Sequence, residues 1–244
     1  MKKEEFEQTL VLIKPDALKN SLTGYVVSQL SEFHTGLRFA GAKIVQVSKM
    51  LAEEHYAEHK GKIFFPAIID YITGYAHYHN DEAWKRRVIA FVYQGANAIV
   101  KIREIVGPTD PHVAREKRPG SIRAMGTKVP FKDDKGNVIG ERMDNLIHAS
   151  ATDTDAEREI KLWFKPSDIP PLMHAYPIKA SEEHYYFKNG RLYLTHEPDS
   201  VCLIAPSDYV WESDLEALRL LYKGLPSTCS VETVVAKYLI NENR

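Results

Sequence analysis

Asn145-Leu146-Ile147-His148-Ala149-Ser150, running into the acidic stretch Asp153 to Glu159, closes the pattern of elements in this chain. Asp144 to Ile147 reads as a short strand, with His148 at its end. Thr154-x-x-Glu157 has the spacing of a capping box, in which the two side chains satisfy the first N–H groups of a helix. The helix it opens is expected to run to about Phe164. A histidine at such a strand-to-helix joint is a candidate covalent carrier, because a neutral imidazole nitrogen needs no activation to act as a nucleophile near pH 7.

The rest of the chain supplies the other elements. Thr9 to Ile13 (TLVLI), stopped by Lys14-Pro15-Asp16, reads as a buried strand. From Leu22 to Phe33 the apolar residues Tyr25, Val26, Leu30 and Phe33 recur at helical spacing, and Gly36 and Gly41 end the pattern. Ala42 to Val47 reads as a half-exposed strand, Glu53 to Lys60 and Phe65 to Thr73 as two short helices, and Val88 to Tyr93 as a second apolar strand. Ala98 to Val106 has helical spacing and stops at Gly107-Pro108. Thr109 to Arg142 is rich in Pro, Gly and charge and reads mostly as loop, with a hairpin over Val129 to Ile139 around Lys135-Gly136-Asn137. The order β-α-β-α-β-α-loop-β-α predicts an α+β fold with a βαββαβ-like core. After Pro177 the character changes. Tyr185 to Leu194 and Val201 to Ile204 read as strands, Asp214 to Tyr222 and Val231 to Leu239 as helices. The expected organisation is a main domain over residues 1–178 and a small α/β extension over 179–244, packed on the main domain or on a neighbouring subunit.

Composition narrows the function classes. The 244 residues carry 32 basic and 33 acidic side chains, a net charge of −1, so no global electrostatic attraction to nucleic acid or an anionic membrane exists. Cys202 and Cys229 match neither a disulfide framework nor a zinc pattern. Met1-Lys2-Lys3-Glu4-Glu5 is followed by only a short apolar strand, which predicts a soluble, cytoplasmic protein without a signal peptide. His77-x-His79 lacks a third ligand in sequence and reads as a solvated insertion, so no protein-built metal site is expected.

Four basic residues stand out, at a strand end (Lys14), between helices (Lys62), late in a helix (Arg103) and after Pro119-Gly120 (Arg123). Each taken singly reads as a solvated side chain. Converging beside an imidazole they would suit a phosphoryl group, whose transfer depends mainly on positioning and charge neutralisation. Neither G-x-x-x-x-G-K-[ST] nor a helix-opening G-x-G-x-x-G occurs, which disfavours the P-loop and Rossmann types of nucleotide site.

Seven short motifs then add up. Ile13-Lys14-Pro15-Asp16, Glu54-His55-Tyr56, Phe64-Phe65, Gly107-x-Thr109-x-Pro111, Arg118-Pro119-Gly120-Ser121-Ile122-Arg123, Asn145-x-x-His148-Ala149-Ser150 and Glu157-x-Glu159-Ile160-x-Leu162-Trp163-Phe164 stand in this order. In that order the chain resembles the nucleoside diphosphate kinase family over roughly residues 8–178. The resemblance implies a ferredoxin-like sandwich and ping-pong transfer of a γ-phosphate between nucleotides. By motif, His148 would be phosphorylated, Glu159 would hold its tautomer with Ser150 bridging, and Tyr56 would pack near the transferred group. Arg103, Thr109 and Arg123 would bind phosphates, assisted by Lys62 and His59. Lys14 and Asn145 would reach ribose hydroxyls and nearby phosphate oxygens, and Phe64 would stack on the base. Mg²⁺ would ride on the nucleotide phosphates, and the protein would be a homo-oligomer.

The chain departs from the family pattern in several places. Position 62 is Lys where the family usually has Arg, which turns a fork into a point charge. Ala149 and Ala151-Thr152 replace the common Gly, Asp and Ser. Insertions at about 74–87 and 124–143 and the tail after Pro177 exceed the compact pattern. These additions motivate the alternative of a catalytically weak nucleotide-binding scaffold acting through its extension.

Overall fold

Every residue of Leu10-Val11-Leu12-Ile13 is fully buried, because this strand is covered on both faces. Leu10 and Leu12 join one apolar cluster with Leu51, Ile72, Ile160 and Trp163. Val11 and Ile13 join another with Val26, Ile102 and Val106. The computed structural model describes residues 6–132 and 135–239. The ends named in the domain reading, residues 1–5 and 240–244, lie outside them.

The chain runs β1 (Phe6–Ile13), α1 (Pro15–Lys19), α2 (Thr23–Gln29), α3 (Glu32–Thr35), β2 (Arg38–Val45), α4 (Lys49–His55), α5 (Phe65–Thr73), β3 (Val88–Ala96), α6 (Ala98–Val106), α7 (Pro111–Lys117), β4 (Thr127–Lys132), β5 (Val138–Asp144), β6 (Ile147–Ala149) and α8 (Asp153–Trp163). Four strands form an antiparallel sheet in the order β2-β3-β1-β6. This is the expected ferredoxin-like α+β sandwich. Helices α4, α5 and α8 cover the Leu10–Leu12 face, and α2 and α6 the opposite one.

The extension continues with β7 (Ile178–Ala180), β8 (Tyr185–Lys188), β9 (Arg191–Tyr193), β10 (Val201–Ile204), β11 (Tyr209–Trp211), α9 (Glu212–Tyr222) and α10 (Val231–Leu239). Asn189 and Gly190, both at positive φ, turn the β8–β9 hairpin, since a two-residue turn of this hand follows the strand twist. These elements bury their own cluster around Tyr185, Leu203, Leu215, Leu218 and Val234. The extension is anchored on its own chain: Trp211 Nε1 donates to the Phe164 carbonyl at 2.8 Å, Ala236 enters the first cluster, and α10 lies against α4 and α8.

Several local expectations are corrected. The segment 109–142 is not mostly loop: Asp110 caps α7 by accepting from His112 N and Val113 N, Pro111 opens that helix, and β4 and β5 make a longer hairpin than expected. The strand predicted at 144–147 is displaced, because Asp144 ends β5 and Leu146 turns through φ 68 before β6 begins. The cap of α8 is Thr152, whose hydroxyl accepts from Asp155 N, two residues ahead of the expected capping box. The helix expected over 22–33 divides where Ser31 caps α3, and the one over 53–60 starts earlier, at Lys49, behind Ser48. His77 is not a solvated insertion residue: its side chain is buried and bonds Asp144, while His79 is exposed.

Candidate active site

Strand register decides which way His148 faces. Leu12 is paired with His148, Ile13 with Ile147 and Val11 with Ala149. Directly opposed residues share a face of the sheet, so His148 stands with Leu12 on the side covered by α4 and α8. On α8 the buried positions Ala156, Glu159, Ile160 and Trp163 form the inward stripe, which carries Glu159 to the imidazole. Glu159 Oε2 lies 2.8 Å from His148 Nε2 and accepts from Ser150 Oγ at 2.6 Å. Ser150 Oγ in turn accepts from Leu10 N. Burial alone would raise the Glu159 carboxyl. The electrostatic attraction of the adjacent His148 ring and the hydrogen bonds from His148 and Ser150 outweigh burial and hold it at about 2. A carboxylate can only accept, so Nε2 carries a proton, and in the neutral ring Nδ1 keeps its lone pair.

His55 and Tyr56, from the end of α4, close over this group. The His55 ring meets His148 edge-on at 4.6 Å, and Trp163 Nε1 donates to His55 Nδ1 at 3.1 Å. Burial pushes the His55 imidazole well below its usual range, so it is neutral. Among the described residues His55, His148 and Glu159 are the one group whose donor atoms converge as metal ligands could, within 4.8 Å. The tautomer argues against that role. Indole N–H can only donate, so His55 Nδ1 is the acceptor and its Nε2 holds a proton, not a lone pair. Tyr56 Oη is buried and has no hydrogen-bond partner, and burial raises its pKa.

The basic residues converge. Lys14 Nζ, buried, donates to Asn145 Oδ1 at 2.7 Å, and Asn145 Nδ2 donates to the Thr109 carbonyl at 2.9 Å. Burial, then the neighbouring Arg123, lowers the Lys14 ammonium to about 7. Arg123 is buried and spends Nε and Nη2 on the Ile147 carbonyl and one Nη1 proton on the Gly107 carbonyl. It therefore ties the 107–123 loop to the strand that carries His148. Arg103 and Thr109 are exposed at the same cleft, which has a volume of about 380 Å³. Phe64, 39% exposed, and His59 line its other part, with their rings 5.5 Å apart. Lys62 does not line the cleft; its Nζ sits 3.0 Å from His59 Nδ1.

The family model described as nucleoside diphosphate kinase matches residues 7–169. The chain belongs to the nucleoside diphosphate kinase family. A nucleoside diphosphate kinase of Pyrococcus furiosus is 41% identical over 165 residues, 68% of this chain and 87% of that protein. Two solved structures share the fold: a halophilic nucleoside diphosphate kinase of Halobacterium salinarum in complex with CDP (32% identity, TM-score 0.52, 70% of this chain and 95% of that one), and a transition-state mimic of the Borrelia burgdorferi enzyme with vanadate and ADP (29% identity, TM-score 0.51, 70% and 94%).

For a nucleoside diphosphate kinase, this cleft has residues that the motifs did not reveal. Glu141, Arg142 and Met143 reach it from the β4–β5 hairpin, and Tyr71 from α5. Nothing local in the sequence marks them, since their place depends on how the hairpin folds back. His55 was visible within Glu54-His55-Tyr56, yet its role depends on Trp163, which lies 108 residues away. Ala149, where the family has Gly, packs buried in the second cluster, and Thr152 serves as the α8 cap.

Proposed function

We propose that this nucleoside diphosphate kinase passes the γ-phosphoryl group between nucleotides through Nδ1 of His148. The observation that carries the reading is the Glu159–His148 hydrogen bond of 2.8 Å, which fixes the proton on Nε2 in a ring that lines the cleft. In the first half-reaction the Nδ1 lone pair attacks the γ-phosphorus. The bond from that phosphorus to its bridging oxygen breaks, and the electron pair leaves on the diphosphate. Positive charge gathered on the ring is met by Glu159, itself steadied by Ser150. In the second half a terminal oxygen of another diphosphate attacks the phosphorus, and the P–N electron pair returns to Nδ1.

Arg123, Arg103 and Lys14 neutralise and, with Thr109, position the phosphates, with Tyr56 Oη donating near the transferred group. Asn145 and Lys14 meet the sugar hydroxyls. Phe64, with His59 beside it, offers the base a π-face, which predicts broad tolerance of base and sugar. Lys62 assists from the rim. Mg²⁺ fits as a passenger on the phosphates: the converging donor group here is imidazole-rich, whereas Mg²⁺ takes oxygen ligands and keeps its waters. When bound it would neutralise charge on the transferring phosphates.

We take residues 1–178 as the catalytic domain and 179–244 as an extension bracing it. Self-association is expected, with β2 as an outer strand of the sheet bearing the exposed Ile44. No described helix is long and apolar enough to cross a membrane, and the enzyme is expected in the cytoplasm. The scaffold alternative is not favoured.

Incubation with γ-labelled ATP should give an acid-labile, base-stable phosphoprotein that converts GDP to GTP. If His148→Ala labels equally and still makes GTP, the reading is wrong.

A further inference from the structure

The two internal insertions beyond the family pattern meet at one carboxylate. His77, from the first insertion, places Nε2 2.8 Å from Asp144 Oδ2. Arg142, on β5 of the second, donates from Nε to Asp144 Oδ1 at 2.6 Å and from Nη2 to Oδ2 at 3.1 Å. Asp144 is the last residue of β5, paired across the hairpin with Thr127, and is followed directly by Asn145. A paired carboxylate fixes the plane of a guanidinium, and here the carboxylate is itself held by a buried imidazole. The Nη1 group and one Nη2 proton remain outside that pairing.

This oriented guanidinium lines the cleft. Its Cζ lies 5.9 Å from the centre of the Tyr71 ring, and Lys14 Nζ lies 4.8 Å from the same centre. Tyr71 Oη accepts from Asn145 N at 3.0 Å. Lys14, Asn145 and Arg142 are thus gathered around one aromatic ring at one part of the cleft. Arg123, by contrast, has most of its donors engaged by backbone carbonyls, and Lys62 stands outside the lining. With the exposed Arg103, Arg142 is a guanidinium of this cleft that keeps fork donors outside its own pairing.

We propose that Arg142 is a further substrate-contacting residue, through which the inserted hairpin reads the sugar hydroxyls of the nucleotide beside Lys14 and Asn145. The assignment rests on the cleft being the nucleotide site with Lys14 and Asn145 at the sugar. Guanidinium N–H groups donate to hydroxyl oxygens while Asp144 keeps the fork from swinging away. Sugar recognition is then shared between the common core and an element specific to this chain. His77 is a positioning residue that acts through Asp144.

The test compares full-length wild type, Arg142→Ala, Arg142→Lys and His77→Ala, with dissociation constants for ADP, 2′-deoxy-ADP and inorganic triphosphate measured by calorimetry. Loss of a charge-assisted hydrogen bond should weaken ADP about tenfold in Arg142→Ala. The loss should be smaller for 2′-deoxy-ADP and smallest for triphosphate. Arg142→Lys, which keeps a cation but not the fork, should fall between, and His77→Ala should reproduce part of the ADP loss. Equal loss for all three ligands would show a phosphate contact and overturn sugar reading. An unchanged ADP constant in Arg142→Ala, with its melting temperature intact, would overturn any contact. Absence of a phosphoenzyme in wild type would instead strike the His148 reading, which these binding constants do not use.

Discussion

Glu159 is the sharpest place to test the proposed chemistry. It is 4% exposed and bonded to both His148 Nε2 and Ser150 Oγ, so it can act as a charge, a tautomer lock and a hydrogen-bond acceptor at once. Glu159→Gln keeps the shape and one accepting oxygen but removes the charge. A hydrogen bond to an ionised group contributes about 1.5–3 kcal/mol and a neutral one about 0.5–1.5, so the difference is about 1–2 kcal/mol. The full charge on the imidazole develops only as Nδ1 bonds phosphorus, so this loss falls on the transition state. Labelling of His148 should slow roughly tenfold. Glu159→Ala also strands two buried donors and frees the ring to change tautomer, which should add about 2 kcal/mol and bring the slowing to a few hundredfold. Rapid-quench labelling with γ-labelled ATP, under single-turnover conditions at saturating protein, isolates the chemical step. If Glu159→Gln labels within twofold of wild type, the carboxylate does not stabilise the developing charge and the argument fails. A loss confined to nucleotide affinity would refute it equally.

Three other expectations follow from the geometry. The Lys14 ammonium titrates near 7 folded and near 10.5 unfolded, so between these values the unfolded chain holds more protons and stability rises with pH. Lys14→Met should therefore raise the melting temperature of the ligand-free protein at pH 6 more than at pH 9, while weakening nucleotide binding; a difference independent of pH would remove the reasoning. Gly107 sits at φ 83 and ψ −179, a region nearly closed to other residues, and an added Cβ would collide with Ser121 Oγ and Cβ. Gly107→Ala should cost about 3 kcal/mol, roughly 6–12 °C in melting temperature, and lower kcat/KM by displacing the carbonyl that holds Arg123. Gly120→Ala, at φ 91 with open space around the Cβ, should cost only strain of about 1 kcal/mol.

The sheet was legible because β1 is buried on both faces and β3 on one, with Ile89 and Phe91 partly covered on the other, so both read as unbroken apolar runs with few alternatives. The helices α5, α6 and α10 matched their predicted limits, since each has a strong apolar stripe and α5 and α6 end at Gly74 and Gly107. Where Pro, Gly and charge dominated, the reading failed. Asp110-Pro111 is a cap followed by a first-turn proline, a local signal that the loop reading passed over. The hairpin was visible only near its Gly136 turn, because the pairing of Thr127 with Asp144 is a contact between distant residues with little apolar pattern. The same holds in the cleft. His148, Glu159, Lys14 and Asn145 could be placed by motif, whereas Arg142 and His77 acquire meaning only through Asp144.

Whether the additions close off His148 is answered by where they pack. The β4–β5 hairpin stands beside the cleft and leaves about 380 Å³ of it open. The tail takes a different position, with α10 against α4 and α8 and Thr233 Oγ1 donating to Glu54 Oε2, next in sequence to His55. Helix α4 brings His55 and Tyr56, and α8 brings Glu159. A short helix such as α4 draws little stability from its own hydrogen bonds and depends on tertiary packing. The extension supplies that packing through Ala236 in the first cluster and through Trp211, which closes on the Phe164 carbonyl just after α8. The tail therefore bears on how firmly the residues around the imidazole are held, while the hairpin bears on what enters.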